Sequence, residues 1–450
     1  MAEAQSASAA IQAEQDSRKY VFTDWSVQSR VKPVVIASAR GVWLYDIHGK
    51  AYIDFASQLV NVNAGHQHPR IIKAIKDQAE KLGYITPYLN TMPRTELART
   101  IAEITPGDLT KCLFTSGGAE ANENAIRIAR LYTGRPKIIT RYRSFHGATN
   151  GALSLSGDSR RWSAEPGMPG VVHALDAFCY RCSFNQKPQE CNLECLSHLE
   201  ELVWNEGPDQ VAGIMVEPVV GANGIIVPPP GYMPGLRALC DKYGIMLIAD
   251  EVMTGFGRTG EWFACQNWNV VPDIMTFAKG VNSGYVPLGG VIVRQPIADY
   301  FEDHTFFGGL TYAGHPLACA AALATIQVYK DEKMVENSRQ MGRVLLRELE
   351  AMKERHPSVG DVRGIGLFCG VELVKDKETR EMLVRWNGPT QGVGAEVREK
   401  ALQSGLYMFG RWNILFVAPP LCINQDELKQ GLAILDEALE LADAAAARPT

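Results

Sequence analysis

Between residues 111 and 293 the chain alternates short apolar runs with amphipathic segments. The runs 111–115, 137–140, 211–216, 245–249, 274–277 and 290–293 each have strand length and are bounded by turn or polar residues, which predicts strands. Several of the segments between them, 119–131 and 233–242 among them, predict helices. Strands alternating with helices predict a mostly parallel sheet covered on both faces, because a parallel strand needs a crossover that lays a helix over the sheet.

The flanks read differently. Val42-Trp43-Leu44-Tyr45-Asp46 and Ala51-Tyr52-Ile53-Asp54 alternate around a turn at His48-Gly49, which predicts a hairpin. Towards the other end come a long helix from Ala318 onward, strands near 366–373 and 414–418, and a helix from Gln425. The expected organisation is a flexible, partly helical tail (1–19), an N-terminal segment joining a small domain (20–65), a large domain (66–325) and a C-terminal small α+β domain (326–450). The alanine run 444–447 reads as the fraying end of the last helix.

Composition narrows the class. With 46% hydrophobic and 21% charged residues, a disordered, collagenous or coiled-coil chain is excluded. Forty-one glycines exceed the usual ~7% and suggest the tight turns and close backbone approaches of an α/β enzyme. A net charge of -5 without a long basic run argues against nucleic acid. The longest apolar stretches, such as 244–249, fall far short of the ~20 residues that cross a bilayer. The N-terminus shows no charged-then-apolar signal pattern, so the expectation is a cytoplasmic protein with mostly reduced cysteines.

Four local features carry candidate chemistry. In Phe114-Thr115-Ser116-Gly117-Gly118-Ala119-Glu120-Ala121-Asn122 a strand passes through small residues into a helix. Free N–H groups and the positive helix end then converge, which suits a phosphate, although a plain strand–helix turn reads the same way. Asp250-Glu251 closes an apolar strand, where open α/β sheets face their ligand crevice; a solvated strand end is the alternative. Lys279 ends another apolar strand, and desolvation there would make it a nucleophilic amine; a snorkelling surface lysine is the bland alternative. Ser144-Phe145-His146-Gly147 follows a third strand and offers an aromatic face for a flat ring, while His146 equally suits loop packing. A phosphate cup, an aromatic, a carboxylate and a lysine at strand ends of one sheet are the parts that a phosphorylated pyridine aldehyde needs.

With these residues in view, the chain resembles the class III, or ω-, aminotransferases of pyridoxal phosphate fold type I. The resemblance runs from about Trp25 to the last helix. It rests on Ser116 to Asn122, Phe145-His146-Gly147, Val216-Glu217-Pro218, Asp250-Glu251-Val252 with Thr254-Gly255-Phe256-Gly257-Arg258-Thr259-Gly260, Ala278-Lys279-Gly280, and Thr311-Tyr312-Ala313-Gly314-His315-Pro316 in order. It implies a large domain with a mostly parallel seven-stranded sheet between helices, a smaller α+β domain from both chain ends, and pyridoxal 5'-phosphate as cofactor. Lys279 would form the Schiff base and shuttle the proton, and Asp250 would pair with the ring nitrogen. Val252 and Phe145 would cover the two ring faces. Ser116, Gly117, Gly118 and Ala119 would form the phosphate cup, with Ala119 contributing backbone only. His146 and Glu217 belong to the cofactor site, Glu217 as an ordering carboxylate. Thr311 would reach the phosphate of a neighbouring subunit, so a homodimer with shared sites, or a tetramer, is implied.

Substrate expectations follow the same resemblance. Relatives acting on ornithine or γ-aminobutyrate often carry Gln-Gly-Glu where this chain has Val220, Gly221 and Ala222, and Ala222 cannot mask an arginine as that Glu does. Arg411 occupies the region of a mobile arginine, suited to carboxylate or sulfonate, with a surface loop arginine as the alternative. Trp25 would wall the substrate pocket, or else be a core tryptophan. The Pro228-Pro229-Pro230-Gly231-Tyr232 turn, Tyr180-Arg181-Cys182 and Gly308-Gly309-Leu310-Thr311-Tyr312 are most similar to taurine–2-oxoglutarate aminotransferases. The expected reaction moves the amino group of taurine, or a similar ω-amino acid, to 2-oxoglutarate; β-alanine or 4-aminobutyrate as donor, or taurine with pyruvate, are the alternatives. Cys179, Cys182, Cys191 and Cys195 have a spacing open to zinc, to a disulfide or to reduced thiols in a packed loop. No metal is expected in catalysis.

Overall fold

The computed structural model describes residues 2–389 and 391–448, with side chains from residue 11 onward. At its centre lies a seven-stranded sheet. In chain order the strands are β1 (Leu109–Thr115), β2 (Lys137–Arg141), β3 (Val171–Ala174), β4 (Val211–Val216), β5 (Met246–Asp250), β6 (Ile274–Phe277) and β7 (Gly289–Arg294). Their spatial order is β1-β7-β6-β5-β4-β2-β3. Every pair from β6 to β3 is parallel, and β7 runs antiparallel to both β6 and β1. Strands β4 and β6 are buried at every position, which is why they read as continuous apolar runs rather than alternating ones.

The fold class is therefore the expected one, with local corrections. Strand β3 was not anticipated: Val-Val-His-Ala is short, and its partly exposed edge position gives no long apolar run. A further edge strand, Ile36–Arg40, precedes the expected hairpin Trp43–Asp46 and Ala51–Asp54, and it too is mostly exposed. The expected single strand near 366–373 is instead a hairpin, Val359–Gly364 and Cys369–Leu373, whose turn occupies part of the predicted run. The expected long helix is two helices, Pro316–Asp331 and Met334–Arg355, broken at Lys333, which lies in the left-handed region (φ 51). The first of these spans the division expected at 325/326 and packs on helices Pro69–Lys81 and Met92–Ile104. Residues Ala2–Tyr20, expected as a flexible, partly helical tail, form a helix, in keeping with their Ala, Gln and Glu content.

Both chain ends meet in one small sheet, where Leu406-Tyr407 pairs in parallel with Ile53-Asp54. A second small sheet is antiparallel, in the order 359–364, 369–373, 414–417, 409–411. The fully buried guanidinium of Arg258 ties these regions to the large sheet. It donates to the carbonyls of Leu367 (2.9 Å) and Pro419 (2.6 Å), to Ser57 Oγ (3.0 Å) and to Asn63 Oδ1 (2.7 Å).

Candidate active site

The carboxyl ends of β1, β2, β4, β5 and β6 surround a cavity of about 400 Å³. Ser116, Gly117, Gly118 and Ala119 line one end of it, and Phe145, His146, Glu217, Asp250, Val252 and Lys279 line the rest. Ten of the sequence-predicted site residues thus converge, because a parallel sheet delivers successive strand ends to one edge.

The cup at 116–119 forms where β1 gives way to helix Gly118–Thr133, capped by Gly117 in extended conformation. A Cβ at Gly117 would project into space with nothing within 4 Å, whereas one at Gly118 would stand 2.7 Å from Val252 Cγ1. The first opens the cup; the second lets the helix end approach the residue expected against the ring. The first N–H groups of a helix have no intrahelical partners, so they are free to bind an anion.

Alternation along β5 separates its two terminal carboxylates. Glu251 faces away, accepting the N–H groups of Ala264 (2.9 Å) and Cys265 (2.8 Å). Asp250 faces the cavity and is held on all sides: by Asn122 Nδ2 (2.8 Å), His146 Nδ1 (2.7 Å), the N–H of Val252 (3.0 Å) and Thr276 Oγ1 (3.4 Å). Asn122 Oδ1 accepts from Thr276 Oγ1 at 2.7 Å, and the far side of the His146 ring meets Thr140 Oγ1 at 3.2 Å. His146 is thus the support of Asp250 as well as part of the cavity wall. Asn122, at the end of the cup motif, and Thr276, inside the apolar run 274–277, join the site only through Asp250. The one sequence signal for them was a polar residue inside an otherwise apolar strand or helix face.

Lys279 follows β6 in the left-handed region (φ 45), a costly conformation that keeps its side chain in the cavity. Burial lowers its ammonium to about 8, although the charges of Asp250 and Glu217 oppose the change. Glu217 is buried after β4, and burial raises its carboxyl. It accepts the N–H of Phe145 (3.0 Å) and of Gly221 (2.8 Å), so it positions the aromatic through the backbone.

Three expected residues lie outside this cavity. Trp25 is no core tryptophan: it is 57% exposed and stands edge-on to Phe145, with ring centroids 6.3 Å apart. Arg411 is no loop residue: it ends the strand Phe409–Arg411, with Nη1 4.0 Å from Asp158 Oδ2. Thr311 is exposed, and its carbonyl accepts from the Tyr84 hydroxyl at 2.9 Å; within the single chain it does not reach the cup.

Cys179, Cys182, Cys191 and Cys195 line one small separate cavity with Phe178, Phe184 and Pro229. Their thiols are free, and among the described residues no group of three Cys, His, Asp or Glu is placed to hold a metal ion. The loop is pinned to the C-terminal region, where Arg181 pairs with Glu372 and donates to the carbonyl of Arg380.

Comparison with known proteins gives the family. The family model described as aminotransferase class-III matches residues 25–439. The chain is 34% identical over 434 residues to the putrescine–pyruvate aminotransferase of Pseudomonas aeruginosa, covering 94% of each. It is 35% identical to the 4-aminobutyrate aminotransferase GabT of Escherichia coli, covering 91% of this chain and 94% of that one. Among solved structures, a taurine:2-oxoglutarate aminotransferase from Bifidobacterium kashiwanohense, in complex with pyridoxal phosphate and glutamate, superposes with a TM-score of 0.93. It is 42% identical and covers 97% of this chain and 98% of its own. An anion cup, a braced carboxylate and a desolvated lysine in one cavity, in a chain matched over nearly its whole length, lead to one conclusion: this protein belongs to the class III aminotransferases and is a pyridoxal-phosphate-dependent transferase.

Proposed function

We propose that the enzyme moves the amino group of taurine, or of a similar small ω-amino acid, to 2-oxoglutarate, giving sulfoacetaldehyde and glutamate. The observation that carries this reading is the 42% identity, over 97% of the chain, to a taurine:2-oxoglutarate aminotransferase structure. Arg411, at the end of the strand Phe409–Arg411 and 4.0 Å from Asp158 Oδ2, supports it, because a guanidinium fork matches a sulfonate or carboxylate.

Pyridoxal phosphate, when bound, supplies an aldehyde that condenses with amines and a ring that takes up electrons from the adjacent carbon. The protein's part is placement and proton transfer. Lys279 Nζ, with its proton affinity lowered by burial, would take the proton from the substrate carbon next to nitrogen and deliver it to the cofactor's C4′ carbon. Asp250, fixed by Asn122, His146 and Thr276, keeps the ring nitrogen protonated. Phe145 and Val252, both lining the cavity, would confine the ring between them, and the N–H groups of Gly118 and Ala119 would hold the phosphate. Donor and acceptor use one site in turn, so the kinetics are ping-pong.

A donor screen tests the reading. Taurine, β-alanine, 4-aminobutyrate and ornithine are each run against 2-oxoglutarate and pyruvate, with Lys279→Ala as the inactive control. Taurine with 2-oxoglutarate is expected to be turned over fastest. Strong β-alanine turnover without any from taurine would replace the proposed donor.

A further inference from the structure

Lys279 stands on a turn with little of its own to hold it. The turn Lys279–Val281 is three residues long and is closed by the bond from the Val281 N–H to the Ala278 carbonyl (3.0 Å). Lys279 (φ 45) and, just beyond the turn, Ser283 (φ 58) both lie in the left-handed region. A residue with a side chain stays there only where its surroundings over-determine it.

Those surroundings come from two distant parts of the chain. On one side is Asn63. A Cβ at Gly280 would stand 2.5 Å from Asn63 Nδ2 and 3.1 Å from Phe256 Cβ, so only glycine lets the turn approach this closely. Asn63 is itself fixed: Nδ2 donates to the Phe256 carbonyl (3.1 Å), and Oδ1 accepts from Arg258 (2.7 Å). The next N–H, of Ala64, donates to Ser283 Oγ (2.9 Å). On the other side is Tyr329, on the helix Pro316–Asp331. It has no exposed surface, and its ring packs on Trp262 with centroids 6.3 Å apart. Its hydroxyl donates to the Gly280 carbonyl at 2.6 Å. The other donors to that oxygen are backbone N–H groups of the same turn, Ser283 at 3.4 Å among them. Packing alone does not call for a hydroxyl here, since phenylalanine would fill the same space without a buried polar atom to satisfy. The phenol oxygen is directed at the residue that follows Lys279.

We infer that Tyr329 is a positioning residue for Lys279: its hydroxyl ties the turn to a helix while Asn63 blocks the opposite side, and the lysine is thereby kept in its left-handed conformation with its amine inside the cavity. The helix is a firm anchor, being sixteen residues long and packed on helices Pro69–Lys81 and Met92–Ile104. Burial pushes the Tyr329 phenol up, so it remains a neutral donor across the working range. The charges that reach the amine are those of Asp250, Glu217, Arg160 and Arg258; Tyr329 acts on its position. Without the bond the turn relaxes, the amine gains water, and its proton affinity climbs back towards that of an ordinary lysine. The inference rests on the reading of Lys279 as the residue that forms the Schiff base.

Tyr329→Phe removes the oxygen and keeps the ring. Its melting temperature is measured, with kcat and KM of the holoenzyme for its best donor. Acylation of Lys279 against pH is followed in the full-length chain stripped of cofactor, by peptide mass spectrometry with the exposed lysines as internal standard. In the wild type half-maximal acylation is expected near pH 8. In Tyr329→Phe it is expected about one pH unit higher, with kcat down ~10-fold and KM little changed, the scale of effect that one hydrogen bond supports. A merely structural role would lower the melting temperature and leave the pH of half-maximal acylation where it was; that outcome overturns the inference, as does a variant indistinguishable from the wild type. If Tyr329→Phe does not fold, Tyr329→Met, whose flexible side chain adapts to irregular gaps, is read by the same criteria. Transamination retained in Lys279→Ala would overturn the reading beneath, and the inference with it.

Discussion

Lys279 shows how much of a residue's chemistry comes from its surroundings. The same side chain on the surface would titrate near its ordinary 10.5; here burial brings it to about 8. Between those two values the unfolded chain carries a proton on this residue that the native chain does not. The contribution of Lys279 to stability therefore rises with pH across that window, and below about pH 8 its burial opposes folding. In the cofactor-free enzyme, acylation of Lys279 followed by peptide mass spectrometry should be half-maximal near pH 8, well below the exposed lysines. Half-maximal modification near pH 10 would show the site to be more solvated than the structure makes it. Asp250 and Lys279 were legible as candidates because each closes an apolar run, Phe145 because its loop follows one, and Glu217 only through the family resemblance. Asn122 and Thr276 were not, because what matters about them is that helix Gly118–Thr133 packs over β6 and that β6 pairs with β5, and adjacency of that kind is not written locally.

Elements differ in how openly they announce themselves. The last helix, Gln425–Ala446, starts at Asn424, whose Oδ1 accepts the N–H groups of Asp426 (3.0 Å) and Glu427 (2.9 Å), while Glu427 Oε2 accepts the Asn424 N–H (3.0 Å). That reciprocal cap is local, so its start is readable from the sequence. Asn424→Ala should cost about 1 kcal/mol and show first as faster hydrogen exchange over residues 425–428. Unchanged exchange there would mean that packing of Leu428 and Leu432, rather than the cap, sets the end of the helix. Strands β3 and Ile36–Arg40 lie at the other extreme. They are short, lie at sheet edges and are partly exposed, so hydrophobic pattern says little about them.

At the scale of the molecule, two segments carry an unusual apolar surface. Tyr84, Tyr88, Leu89 and Met92 on one, and Phe307 and Tyr312 on the other, are all exposed, Tyr88 almost completely at 98%. They meet through the bond from Tyr84 to the Thr311 carbonyl and the edge contact of Tyr84 with Tyr312. Exposed apolar side chains on two touching segments are what an association surface would need. Its proximity to Thr311 supports the expected homodimer in which Thr311 serves the partner's phosphate cup. Sedimentation should give twice the chain mass. Tyr88→Asp combined with Phe307→Asp should shift the enzyme towards monomer and weaken cofactor retention. A monomeric wild type with full cofactor occupancy would refute shared sites.

By itself the sequence determined the alternation of strands and helices, the strand-end positions of the reactive residues and, through their order, the family. Those properties are local: apolar runs, caps and turns are set by neighbours a few residues apart. The resemblance singled out Asp250 over Glu251, but the tertiary structure alone decided that His146 braces it and that Asp158, Arg160 and Arg411 form one charged cluster. Those outcomes depend on which strands lie side by side and which face each presents, and residues more than 250 positions apart come within hydrogen-bonding or ionic reach only once the sheets have packed.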